Sequence, residues 1–159
     1  MIADPAHVRT VGNLPDAVGD DVIYPHLRTA SRRLKNWVGD SNYTTAESEV
    51  STARANLNPG ESLDINTLSE LAQALIDAEA YLAMCHGLPT FNMVMQDDSG
   101  VASSGKIGEG QYSYLTAQEV QMYQEIFLHN AVNAAQNYIQ QTKLETGISP
   151  AFDDEGEEI

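Results

Sequence analysis

The chain has 159 residues, of which 42% are hydrophobic and 19% charged, and its 8 basic residues against 23 acidic ones leave a formal charge of -15. This length and apolar content suit one compact domain with a large core, while the charge argues against a grip on nucleic acid, which draws on an excess of Lys and Arg to displace counterions. Cys85 is the single cysteine, which excludes an intramolecular disulfide and a Cys-rich zinc site.

High negative charge suits a solvated enzyme, a DNA mimic, or a surface that DNA must slide past. The opening MIADPAHVRTVGNLPDAVGDD lacks the basic and apolar regions of a signal peptide. No apolar run approaches the ~20 residues that span a bilayer. The expectation is an intracellularly made, soluble protein without membrane contact.

Residues 1–20 read as an N-terminal extension. From Asp21, the positions Ile23, Leu27, Ala30, Leu34 and Trp37 or Val38 recur at spacings of three and four, which predicts an amphipathic helix with Arg28, Arg32 and Lys35 on another stripe. Pro25 belongs in or near its first turn and Gly39 is a natural stop. This segment, HLRTASRRLKNWVG, holds Arg28, Arg32, Arg33 and Lys35, half of the chain's basic residues, beside its one tryptophan.

A short second helix is predicted through Tyr43, Ala46, Val50, Ala53 and Leu57, with Thr44 and Glu47 spaced as a capping box and Pro59-Gly60 ending it. The third, in NTLSELAQALIDAEAYLAMCHG, carries Leu68, Leu71, Leu75, Ala78 and Leu82 on one face and Ile76, Ala80 and Ala83 on a neighbouring one. A surface so broadly apolar predicts burial on more than one side. Gly87 fits the left-handed position after the last turn, with Pro89 blocking continuation.

Between Pro89 and Leu115 the helical period disappears, and alternation flanks a run of glycines, which predicts two short strands or extended arms around a loop. A long insertion of this kind is commonly functional or orders on a partner. The last helix has a capping box at Thr116 and Glu119 with a Leu115/Val120 staple, and is expected to run to about Leu144. The chain closes on AFDDEGEEI, with five acids in its last seven residues, read as a solvated tail. The predicted fold is thus mainly α: a bundle of about four helices over 21–146, a glycine-rich, β-hairpin-like insertion at 89–115 between helices three and four, and an acidic tail at 147–159.

Chemical motifs are sparse. A di-iron or di-manganese bundle site needs Glu-x-x-His pairs, and the chain has none. Glu125 with His129 and Glu79 with His86 are the nearest pairs, and helix surface polarity explains them better than a metal does. Cys85 and His86 are adjacent on a helix and point about 100° apart, so Cys85 reads as a buried structural thiol. GKIGEG lacks the Walker pattern and G-x-S-x-G does not occur. No catalytic, metal or cofactor residues are assigned, and no cofactor is expected. The basic cluster has two readings: pairing with carboxylates such as Glu47, Glu49 or the tail, or a docking surface built of residue types enriched at interface hot spots.

The arrangement of DDVIYPHLRTASRRLKNWVG, a short helix, a long Ala/Leu/Glu-rich helix ending in AEAYLAMCHGLPTFN, a glycine-rich segment and a capped helix opened by YLTAQEV resembles the head-to-tail adaptor (connector) proteins of tailed bacteriophages, over about residues 20–144. The resemblance implies a non-enzymatic structural virion protein, a helical protomer of a homo-oligomeric ring, expected to be twelve-fold, at the phage neck. Such a ring binds the portal protein, meets a downstream neck or tail-terminator protein, and extends a channel for passing genomic DNA. By position, portal contacts would fall to Ile148, Phe152, Asp153, Asp154 and Glu155. Inter-subunit or neck contacts would fall to Arg28, Arg32, Arg33, Lys35, Trp37, Met93, Met95, Lys106 and Tyr112. An acidic DNA mimic, or another host-targeted inhibitor, is the alternative, and a small helical enzyme the third.

Overall fold

The computed structural model describes residues 1–99 and 115–140, with the side chains of 97–99 left aside. Among these residues the chain forms five α-helices and no strand: α1 (Pro5–Gly12), α2 (Asp20–Val38), α3 (Asp40–Ala55), α4 (Glu70–Ser99) and α5 (Ala117–Ala135), with a 3-10 turn at Ile65–Thr67. Helix α4 is the axis of the fold and packs against each of the other four. Its buried residues point in every direction, from Ala72, Leu75 and Ile76 through Leu82, Ala83 and Met84 to Leu88, Phe91 and Met95. A helix apolar all round is stable only with neighbours all round, which bears out the expectation of burial on more than one side.

The predicted stripe of α2 is buried in full, since Ile23, Leu27, Ala30 and Leu34 have no exposure and Trp37 and Val38 almost none. Pro25 sits in the second turn of α2, one turn later than expected, where its missing N–H leaves a single carbonyl, that of the exposed Asp21, to solvent. Gly39 then turns the chain into α3 with no intervening loop. Its φ of 86° is strained for any residue with a Cβ, and a methyl there would meet Gln140 Nε2 at 2.6 Å.

Because Gly39 makes this turn, α3 starts at Asp40 and the predicted capping box at Thr44 is not formed. Thr44 lies inside the helix, and Glu47 instead receives the Met1 ammonium at 2.9 Å. The first twenty residues carry α1, started by an Asp4 cap on the His7 amide (2.9 Å) and Pro5 in the first turn. Ile2, Val8 and Val18 are fully buried.

The largest departure from the sequence reading is at Gly87 and Pro89, where α4 continues to Ser99. Helix therefore replaces the extended arm expected over 89–99, while residues 100–114, the rest of the expected insertion, lie outside the described residues. Pro89 has no N–H for the Cys85 carbonyl one turn earlier. That carbonyl is satisfied across the helix pair by Gln124 Nε2 of α5 at 2.8 Å. Gly87 serves packing, not termination: the edge of the Phe91 ring and His26 of α2 close over it, and a methyl at this position would lie 2.6 Å from Phe91 Cε2 and 2.9 Å from His26 Cγ. Gly87→Ala should therefore destabilise the fold by about 1–3 kcal/mol through overpacking, despite alanine's better helix propensity, and urea denaturation measures it. A stabilised variant would show that Phe91 moves aside freely.

Helix α5 begins as predicted, with the Thr116 and Glu119 side chains each bonded to the other residue's backbone. Asn92 fixes its position against α4, donating from Nδ2 to the Leu115 carbonyl (2.9 Å) and accepting the Leu115 amide on Oδ1. The helix ends at Ala135, nine residues short of the expected Leu144. Gln140 closes the described chain by donating its amide to the Trp37 carbonyl at 2.9 Å, beside the end of α2.

Candidate docking face

With one stripe of α2 committed to the core, the opposite stripe faces solvent: Asp21, Tyr24, Arg28, Arg32, Lys35 and Asn36 are all exposed. Arg28, Arg32 and Lys35 are spaced by four and three residues, so their charges form a ridge about 10 Å long at 1.5 Å per residue. Like charges at i, i+4 repel by a few tenths of a kcal/mol.

The other described basic side chains are engaged. Arg9 pairs with Asp20 and donates to the Val18 carbonyl at 3.0 Å. Arg54 donates to the Ile2 carbonyl at 2.7 Å and lies 3.5 Å from Asp4. Arg33 turns inward, with a nitrogen 3.3 Å from His86 Nε2 and its guanidinium 5.4 Å from the centroid of the Trp37 ring. The three ridge residues make no ion pair among the described residues. Two carboxylates proposed as their partners are also taken, Glu47 by Met1 and Glu49 by the amide and hydroxyl of Ser69 at 2.7 and 2.6 Å.

Two predicted docking residues are corrected by their burial. Trp37 is 5% exposed and Met95 3% exposed, because each falls on the core stripe of its helix. Arg33 is half-buried on the α2/α4 seam, and Met93, at 64%, is the most exposed large hydrophobic residue among the described residues. Met122 and Ile126 of α5 are also exposed. Lys106, Tyr112, Ile148, Phe152, Asp153, Asp154 and Glu155 lie outside the described residues.

Two buried polar sites were not anticipated. Glu79, with no exposure, accepts the amides of Ile2 (2.7 Å) and Ala3 (2.9 Å) on one oxygen and the Tyr43 hydroxyl (2.5 Å) on the other. The Tyr43 hydroxyl also lies 2.6 Å from Ser31 Oγ. Burial raises the Glu79 carboxyl above the usual range, and the three hydrogen bonds pull it part of the way back. Burial, with the Glu79 charge beside it, pushes the Tyr43 phenol up strongly. The signal for this site was a carboxylate flanked on both sides by alanine, Ala78-Glu79-Ala80, on a helix apolar all round.

On the α2/α4 seam, burial pushes His86 down to about 4, with the Arg33 charge adding to the shift and His26 adding less, and burial also lowers His26. Cys85 is buried as expected and its thiol is pushed up to about 11, the reverse of an activated nucleophile.

A cleft of about 530 Å³ opens near α1, lined in part by Asp4, His7, Thr10, Arg54 and Glu61. Its charged groups hold the fold: His7 contacts Asp77 at 2.8 Å, Asp4 caps α1, and Glu61 closes a turn on Asn58. Among the described residues no group of three or more His, Cys, Asp or Glu is placed to hold a metal ion. No described helix is long and apolar enough to cross a membrane. No family model matches the chain, and no curated protein or solved structure matches it either.

Proposed function

We propose that this chain is a structural protein of a phage neck, a helical protomer that assembles into a ring joining the portal to the next neck or tail component. The observation that carries this reading is the ridge of Arg28, Arg32 and Lys35, exposed and without an ion-pair partner among the described residues, on a chain of charge -15. A cationic ridge on an acidic molecule is electrostatically matched to another molecule of the same kind, and such matching sets orientation and encounter rate. In this reading Met93 lies at the same class of inter-subunit or neck contact, and Ile148, Phe152, Asp153, Asp154 and Glu155 reach the portal. The excess of carboxylates repels the phosphates of DNA in the channel.

A DNA mimic needs carboxylates spaced along an exposed face like phosphates. Here Asp20, Glu47, Glu49, Asp77 and Glu119 are instead spent on an ion pair, side-chain hydrogen bonds, caps and the Met1 ammonium, which favours the structural reading.

The test is the solution mass of the purified chain alone and mixed with the portal ring. The expected result is a stoichiometric complex with several copies of the chain on each portal. A chain that stays monomeric in both samples contradicts the proposal.

A further inference from the structure

The ridge on α2 makes no ion pair among the described residues, and the sequence holds a segment of opposite charge. We propose that the acidic C-terminal residues 151–159 of the same chain lie along the Arg28, Arg32 and Lys35 ridge, covering it in the free protein.

Three observations carry the inference. The ridge is three cations on one exposed stripe with no ion pair among the described residues, and Glu47 and Glu49 are engaged elsewhere. Residues 151–159 hold Asp153, Asp154, Glu155, Glu157 and Glu158 and no base, the densest acidic run in the chain. Gln140 is bonded to the Trp37 carbonyl, two residues beyond Lys35, which brings the chain to the end of the ridge. From Gln140 to Asp153 is thirteen residues, a reach of up to about 43 Å at 3.3 Å each. The far end of the ridge, Arg28, lies only about 14 Å back along α2 from Trp37 at 1.5 Å per residue.

Covalent attachment is what makes the contact effective. Exposed ion pairs are individually weak, but a ligand tethered by a short segment is present at an effective concentration on the order of millimolar, and five carboxylates meet three cations. The same charge density makes the contact sensitive to salt. The inference concerns the isolated chain and holds whether or not the ring reading is correct.

A zero-length carbodiimide cross-link tests it, because Lys35 is the one amine on the ridge. The full chain, mixed as unlabelled and ¹⁵N-labelled protein at low salt, is cross-linked and its peptides are identified by mass. The expected product joins Lys35 to a carboxylate within 153–158, in isotopically pure pairs. Its yield should fall at least tenfold in 0.5 M salt and at least tenfold in Arg28→Glu/Arg32→Glu, which leaves Lys35 in place. Mixed-isotope pairs would assign the ridge to a second copy's tail and overturn the intrachain contact. Coupling of Lys35 only to other carboxylates, or to none, overturns it as well.

Discussion

Replacing Glu79 with alanine should lower the stability of the chain by about 2–5 kcal/mol, because two buried backbone amides lose their acceptor. The Glu79 carboxylate takes two backbone amides from the first residues of the chain and a hydroxyl from α3, so its loss leaves the two amides without an acceptor and the Tyr43 hydroxyl with Ser31 alone. Each unsatisfied buried donor costs roughly 1–3 kcal/mol, reduced where water can enter. Glu79→Gln keeps the shape and one acceptor oxygen, and should cost about half as much, since its NH₂ must face either the two amides or the Tyr43 hydroxyl. Urea denaturation gives both values. Hydrogen exchange gives the location, as the amides of Ile2 and Ala3 should lose their protection in Glu79→Ala while those of α5 keep theirs. A loss under 1 kcal/mol would mean that the start of the chain is held by the burial of Ile2 alone.

The second large effect is acid sensitivity. His86 titrates at about 4 in the folded chain against 6.5 when unfolded, so between these values the unfolded state binds the proton and the folded state does not. Stability therefore falls as the pH drops from 6.5 towards 4, by up to about 3 kcal/mol for this depression. His26, also lowered by burial, acts in the same direction. Glu79 acts in the opposite one: its raised carboxyl takes up a proton first in the folded state, which relieves the cost of a buried charge as the pH falls. Comparison with His86→Gln isolates the histidine. The wild type should lose about 3 kcal/mol relative to the variant between pH 7 and pH 4, and parallel pH profiles would show that His86 is charged in the fold.

What could be read from the sequence divides by the range of the interaction responsible. The core stripe of α2 and the Thr116 capping box depend on residues within one or two turns, and both were legible. Gly87-Leu88-Pro89 carries every local mark of a helix end and yet lies inside α4. The deciding partners are Gln124, which bonds the carbonyl that Pro89 leaves open, and the rings of Phe91 and His26, which need the missing side chain. Once the helix runs on, Phe91 and Met95 join Met84 and Leu88 on a continuous apolar stripe, so Met95 belongs to the core.

The first twenty residues were unreadable for the same reason. An eight-residue helix has little stability alone, and Glu79, which fixes its approach, is more than seventy residues away in sequence. Of the candidate face, the charges at Arg28, Arg32 and Lys35 followed from the stripe opposite the core. Arg33 and Trp37 were grouped with them by residue type, whereas helical position takes both inward.

The tail contact and the ring reading fit together if a partner in the assembly displaces residues 151–159 from the ridge. The claim beneath both is that this ridge is a docking face and not a brace for the protomer's fold. Charge reversal, Arg28→Glu with Arg32→Glu, tests it most directly, with the mass of the complex formed with portal rings measured beside the helical circular dichroism and urea midpoint of the same sample. The expected result is a folded protomer of unchanged helicity that no longer assembles. An unfolded variant, or one that assembles as well as the wild type, would contradict it.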